Sequence, residues 1–131
     1  MKNKIETSIA FIEKLAVDLI KVRVKKEVKI DRTGLEENLA AFRYFLGDKK
    51  AWFLTRFHAL NTADVNARAS YEADKRVRFK LGEAFVIESL SNRIELDFHI
   101  QKTKTIYPIK IFKEEEDALE WINLMRARSA G

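Results

Sequence analysis

The chain of 131 residues has no cysteine, one proline, four glycines and two histidines. Each scarcity removes a class of function. Without cysteine there are no disulfides, thiolate metal sites or Cys nucleophiles, and nothing points to an oxidising compartment, so the cytoplasm is the expected location. The glycines, Gly34, Gly47, Gly82 and Gly131, are scattered, which leaves no phosphate-cradling loop of the P-loop or Rossmann kind. No Gly-x-Ser-x-Gly, His-Glu-x-x-His or EF-hand spacing occurs. No apolar run approaches the roughly 20 residues that span a bilayer, and acids interrupt MKNKIETSIAFIEKL where a signal peptide needs an apolar core. The expectation is a chain with no membrane span, no cofactor and no metal, and a reading that leans away from an enzyme.

What is present is apolar volume. Hydrophobic residues make up 47% and charged residues 34% of the chain, with nine Phe and two Trp, enough to build one core in one domain spanning residues 1–131. The net charge of +5 is concentrated early, since residues 1–50 carry 12 Lys+Arg against 8 Asp+Glu. Its densest stretch is KVRVKKEVK, residues 21–29, where Lys and Arg alternate with Val at the period of a half-exposed strand. This reads as an edge strand guarded by lysines. Nucleic acid is disfavoured as a partner, because the segment lacks interleaved aromatics.

Periodicity orders the rest. Residues 6–12 and 16–24 read as two strands of a hairpin. In TGLEENLAAFRYFLG, Thr33 and Glu36 match the S/T-x-x-E capping box, Leu35, Leu39, Phe42 and Leu46 share a face, and Gly47 supplies the stop. KAWFLTRF, residues 50–57, has the continuous apolar content of a buried strand. Val65, Ala69, Ala73 and Val77 form a small-residue stripe that predicts a helix over 63–80, and AFVI, 84–87, predicts another buried strand. RIELDFHIQ, residues 93–101, alternates like a strand, yet the order of elements around it requires a crossover helix, so a helix is expected there. Pro108 places IYPIKIF at a sheet edge or makes the strand begin at the proline. Glu114 to Asp117 then open a last helix with their charge at its N-terminus, Ala118, Leu119, Trp121, Ile122 and Met125 form its apolar face, and Trp121 is expected in the core.

The order of a hairpin followed by helix, strand, helix, strand, helix, strand, helix, together with the ending PIKIFKEEEDALEWI, resembles the SpoIIAA-like, or STAS-type, family of small bacterial domains. The resemblance implies a mixed, mostly parallel sheet with an N-terminal hairpin and four helices. It also implies a phosphorylatable Asp-Ser-Ser-Gly at the start of the second main helix. Here the matching stretch is HALNTADVN, residues 58–66, in which only Thr62 offers a hydroxyl. Thr62 reads as a helix cap first and a phosphoacceptor second, and the chain is more similar to stand-alone members without the serine.

In open α/β sheets ligands bind beyond the carboxyl ends of strands. That rule selects His58, Asn61, Thr62, Asp64 and Arg68 after one strand and Ser89, Ser91, Asn92 and Arg93, beside Glu88, after the next. His99 reads as a solvated helix position. The combined expectation is a non-enzymatic regulatory or protein-interaction domain using that surface, with a small anionic or lipidic ligand at the same strand ends as the alternative. Tyr44, Tyr71 and Phe79, left off the core stripes, suggest that any homodimer forms through helices.

Overall fold

In the segment LIKVRV, Ile20, Val22 and Val24 are buried while Arg23 is exposed and Lys21 half-buried. This alternation makes a strand, and it is the third of six. A computed structural model describes residues 2–58, 78–102 and 107–130. Its elements are β1 (Lys4–Glu6), β2 (Ala10–Ala16), β3 (Leu19–Val24), α1 (Arg32–Leu46), β4 (Ala51–Phe57), β5 (Lys80–Ile87), α2 (Leu90–Lys102), β6 (Ile109–Phe112) and α3 (Glu115–Ala130). The strands form one sheet in the order β1-β2-β3-β4-β5-β6. β1, β2 and β3 pair antiparallel, and β3 through β6 pair parallel. The sheet is mixed and mostly parallel, as expected, and α1 and α2 are crossovers between parallel neighbours.

Three expectations need correction. KVRVKKEVK is not an edge: Lys21 pairs with Glu13 on one side and Leu54 on the other. Period-2 alternation reports that one face is buried and is silent about neighbours in the plane of the sheet. The edges are β1 and β6, the latter beginning just after Pro108. The expected helix 63–80 cannot reach Lys80, which starts β5, and the rest of it lies outside the described residues apart from Arg78 and Phe79, which are not helical. Three of the four expected helices are therefore seen among the described residues. Finally, α1 is capped by Asp31, whose Oδ1 accepts from the Gly34 amide at 2.8 Å. Thr33 lies inside the helix, and Glu36 pairs with Arg32 at 3.1 Å instead of closing a capping box. The Gly47 stop is formed as expected, at φ 60°, a conformation that glycine adopts without steric cost.

The sheet is covered on two sides. On the first face, Leu35, Phe42, Phe45 and Leu46 of α1 and Leu96 of α2 pack with Ile12, Ile20, Val22, Phe53, Phe85 and Ile87, and Phe42 meets Phe53 edge-on at 4.9 Å. On the second, Ala118 and Ile122 of α3 close over Leu19, Trp52, Leu54, Ala84 and Val86. Trp52 crosses β5 at Gly82, where a Cβ would overlap its ring, and meets Trp121 edge-on at 6.0 Å. Trp121, expected in the core, is half-buried between Trp52 and Phe112 and packs against the second core. The acids of α3 do more than complement its dipole: Glu115 reaches Lys21 at 2.9 Å. Arg126 binds Asp18 in the β2–β3 turn at 2.6 Å.

Helix geometry resolves the ambiguity of residues 93–101. Residues two apart sit about 200° apart around a helix, so Leu96 and Ile100 point at the sheet while Ile94 and Phe98 point away. Leu96 is buried, whereas Leu90, Ile94 and Phe98 are 63%, 61% and 60% exposed. A helix with apolar residues on opposite sides has the same local pattern as a strand. No helix of the described residues is long and apolar enough to cross a membrane.

Gly82→Ala should destabilise the fold by about 1–3 kcal/mol, because the new methyl must displace a buried indole; urea unfolding followed by Trp fluorescence measures it. Trp121→Ala, which removes half-buried contacts, should cost about 1–3 kcal/mol, below the range of about 3–5 kcal/mol for fully buried Trp.

Candidate functional site

The carboxyl ends of β3, β4 and β5 bring together Arg23, Arg56, His58 and the turn from Glu88 into α2. Strand register fixes this arrangement: Arg23 pairs directly with Arg56, and Arg56 with Val86 two residues before Glu88. Alternation puts Arg23 and Arg56 on one face, away from the core that holds Val22, Val24 and Phe57. Arg56 holds Glu88 at 3.3 Å and Glu115 at 3.7 Å. Arg23 has no carboxylate partner among the described residues; its guanidinium lies 4.8 Å from the Phe11 ring centroid, and the Lys25 ammonium approaches the same ring at 5.0 Å.

The expected residues divide sharply. Ser89 caps α2: its hydroxyl accepts from the Asn92 amide at 3.3 Å and lies 3.0 Å from the Ser91 hydroxyl, while its carbonyl accepts from the Arg93 amide at 3.0 Å. The Arg93 guanidinium donates to the carbonyls of Ile87 and Glu88 at 2.9 and 2.6 Å. Ser89, Asn92 and Arg93 thus build the corner that launches α2. His58 is exposed at the end of β4. Partial desolvation and the charges of Lys26, Arg56 and Arg23 hold its imidazole below the usual histidine value, with Glu88 pulling the other way. Asn61, Thr62, Asp64 and Arg68 lie outside the described residues, as do Tyr71 and the His99 side chain. Among the described residues no group of three His, Asp or Glu side chains converges as a metal site would. Of the aromatics assigned to a partner, Tyr44 is exposed, whereas Phe79 is half-buried against Phe42 and Phe53.

Sequence reasoning passed over the most unusual polar group in the chain. Lys80 and Glu83, with side chains 0% and 1% exposed, pair at 3.0 Å, and Thr55 donates to the other Glu83 oxygen at 2.6 Å. Phe53 flanks the ammonium at 5.3 Å. The signal was the acid in KLGEAFVI and the hydroxyl in AWFLTRF, each a polar interruption of an apolar strand. A hydroxyl, carboxylate and ammonium in contact could in principle activate a nucleophile, but these are sealed under the helices, and their role is to tie β4 to β5.

Lys80→Met should cost about 3–5 kcal/mol by stranding a buried carboxylate, and Lys80→Met with Glu83→Leu should cost less than the single change; denaturant midpoints decide. For His58, a folded-state pKa below the unfolded one means that the unfolded chain binds more protons in that window. Stability therefore rises with pH through it and falls below it. A ring-proton NMR titration should show His58 titrating below model imidazole and moving back up in Arg23→Gln.

No curated protein and no solved structure gives a significant match to the chain. A family described as a domain of unknown function, DUF7793, matches residues 14–126, which run from within β2 to within α3. The chain belongs to the DUF7793 family.

Proposed function

We propose that the domain is a non-enzymatic, cytoplasmic regulatory or protein-interaction module of SpoIIAA-like type, and that it docks a partner protein on the outer side of α2. The observation that carries this reading is the stripe of Leu90, Ile94 and Phe98, more than half exposed at successive four-residue steps. Four-residue ridges of this kind interdigitate with those of another helix, and large apolar side chains at a surface mark partner contacts. The Ser89–Arg93 corner supports the same reading, because its polar groups are spent on fixing the start of α2 and so on holding the stripe in one orientation. The small-ligand alternative finds its one support in the adjacent arginines Arg23 and Arg56.

Ile94→Lys tests the docking reading, since an exposed substitution of this kind changes stability by within about 0.5 kcal/mol. Affinity purification from the native host should recover a partner with the wild-type domain and with His58→Ala, and lose it with Ile94→Lys. Equal recovery by all three would overturn docking through α2.

A further inference from the structure

The second face of the sheet, where Phe11 and Arg23 are exposed, carries a second arrangement, independent of α2. α3 packs on β4, β5 and β6, and beside it Phe11 on β2 remains 41% exposed. Across the strands one row of paired residues reads Glu6, Phe11, Arg23, Arg56, Val86, Phe112. Two arginines directly opposite one another on the same face repel, and cross-strand like charges destabilise a sheet. Arg23 is not neutralised by any carboxylate among the described residues, and the flanking Lys26 adds a further exposed charge.

Phe11 gives this row its order. The guanidinium of Arg23 and the ammonium of Lys25 both rest on its ring, at 4.8 and 5.0 Å, so two flexible cations are held before any ligand arrives, which lowers the entropic cost of binding. The Lys25 ammonium is also held by Glu6 at 2.6 Å. Arg56 is engaged by Glu88, whose side chain is 74% exposed, and at 3.7 Å by Glu115, whose closer partner is Lys21 at 2.9 Å; the exposed pair contributes little and is readily exchanged for a better anion, while Lys21 keeps Glu115 neutralised. Planar guanidinium forks match the tetrahedral oxyanion of a phosphoryl group better than ammonium groups do.

We infer that Arg23, positioned by Phe11 beside Lys25, and its cross-strand partner Arg56 form a site for the phosphoryl group of a phosphate-bearing ligand on the face beside the carboxyl ends of β3 and β4. His58 lies close enough to these cations to feel their field and so reports occupancy without belonging to the site. The phosphoryl group could come from a free phosphorylated small molecule or from a nucleic-acid backbone; the two sources share this chemistry.

The test is an NMR titration of the full chain with inorganic pyrophosphate at low ionic strength, following His58. Bound negative charge offsets the neighbouring cations, so the His58 pKa should rise on a saturable curve. Arg23→Gln should bind about tenfold more weakly although relief of its repulsion with Arg56 leaves the thermal midpoint equal or higher, and Phe11→Leu several-fold more weakly. A short deoxythymidine oligonucleotide that binds much tighter than pyrophosphate would identify a nucleic-acid source; comparable or weaker binding would identify a free ligand. An unsaturable response, one reproduced by chloride at matched ionic strength, one unaffected by Arg23→Gln, or equal binding of a polyglutamate peptide would overturn the site.

Discussion

β4 is buried on both faces, and the rest of the fold is arranged to satisfy it. Phe53 and Phe57 face one core, Trp52 and Leu54 the other, so AWFLTRF must lie inside a sheet with helices above and below. Each neighbour answers a specific demand. Gly82 leaves room for the Trp52 ring, and Glu83 on the same strand takes the Thr55 hydroxyl and the Lys80 ammonium in the opposite core. The apolar term is the larger one. A buried ion pair stabilises weakly against its desolvation cost; Lys80 and Glu83 both lie on β5, and what ties them to the register of β4 is the Thr55 hydroxyl donated to Glu83.

The two faces are finished unequally, and the inequality is where function has room. α1 and α2 cover the first face, and α2 has apolar residues left over on its outer side. Among the described residues a single helix packs on the second face, and Phe11 on β2 and Arg23 at the end of β3 stay exposed beside it. The charge that seemed to protect an edge in the sequence therefore sits in the plane of the sheet and beside an exposed surface.

Much of the architecture was legible because burial has a period. β4, α1 and α3 were marked by residues whose apolar spacing matches one element only, and the Gly47 stop and acidic start of α3 have local causes. α2 was legible only through topology, since residues with two apolar sides repeat at two as well as at four; the parallel strands around it excluded the strand. What failed depended on partners distant in sequence. The edge assignment of β3 needed β4 as a neighbour, and the Asp31 cap displaced an equally good local match at Thr33. The candidate site was legible in position, since strand ends fixed the corner, but not in role. Nothing in ESLSNR announces that Arg93 folds back onto the carbonyls of Ile87 and Glu88, and Phe11 meets Arg23 only through the hairpin.

The claim on which the functional account turns is that α2 shows the sheet one apolar side and the solvent another. Methyl NMR with a soluble paramagnetic probe tests it directly, because relaxation enhancement falls steeply with depth below the surface. The account predicts strong broadening of the Leu90 and Ile94 methyls, with Leu96, Ile12 and Ile20 unaffected. Protection of Ile94 equal to that of Leu96 would mean that the stripe is covered within the chain itself, and the docking surface would not exist.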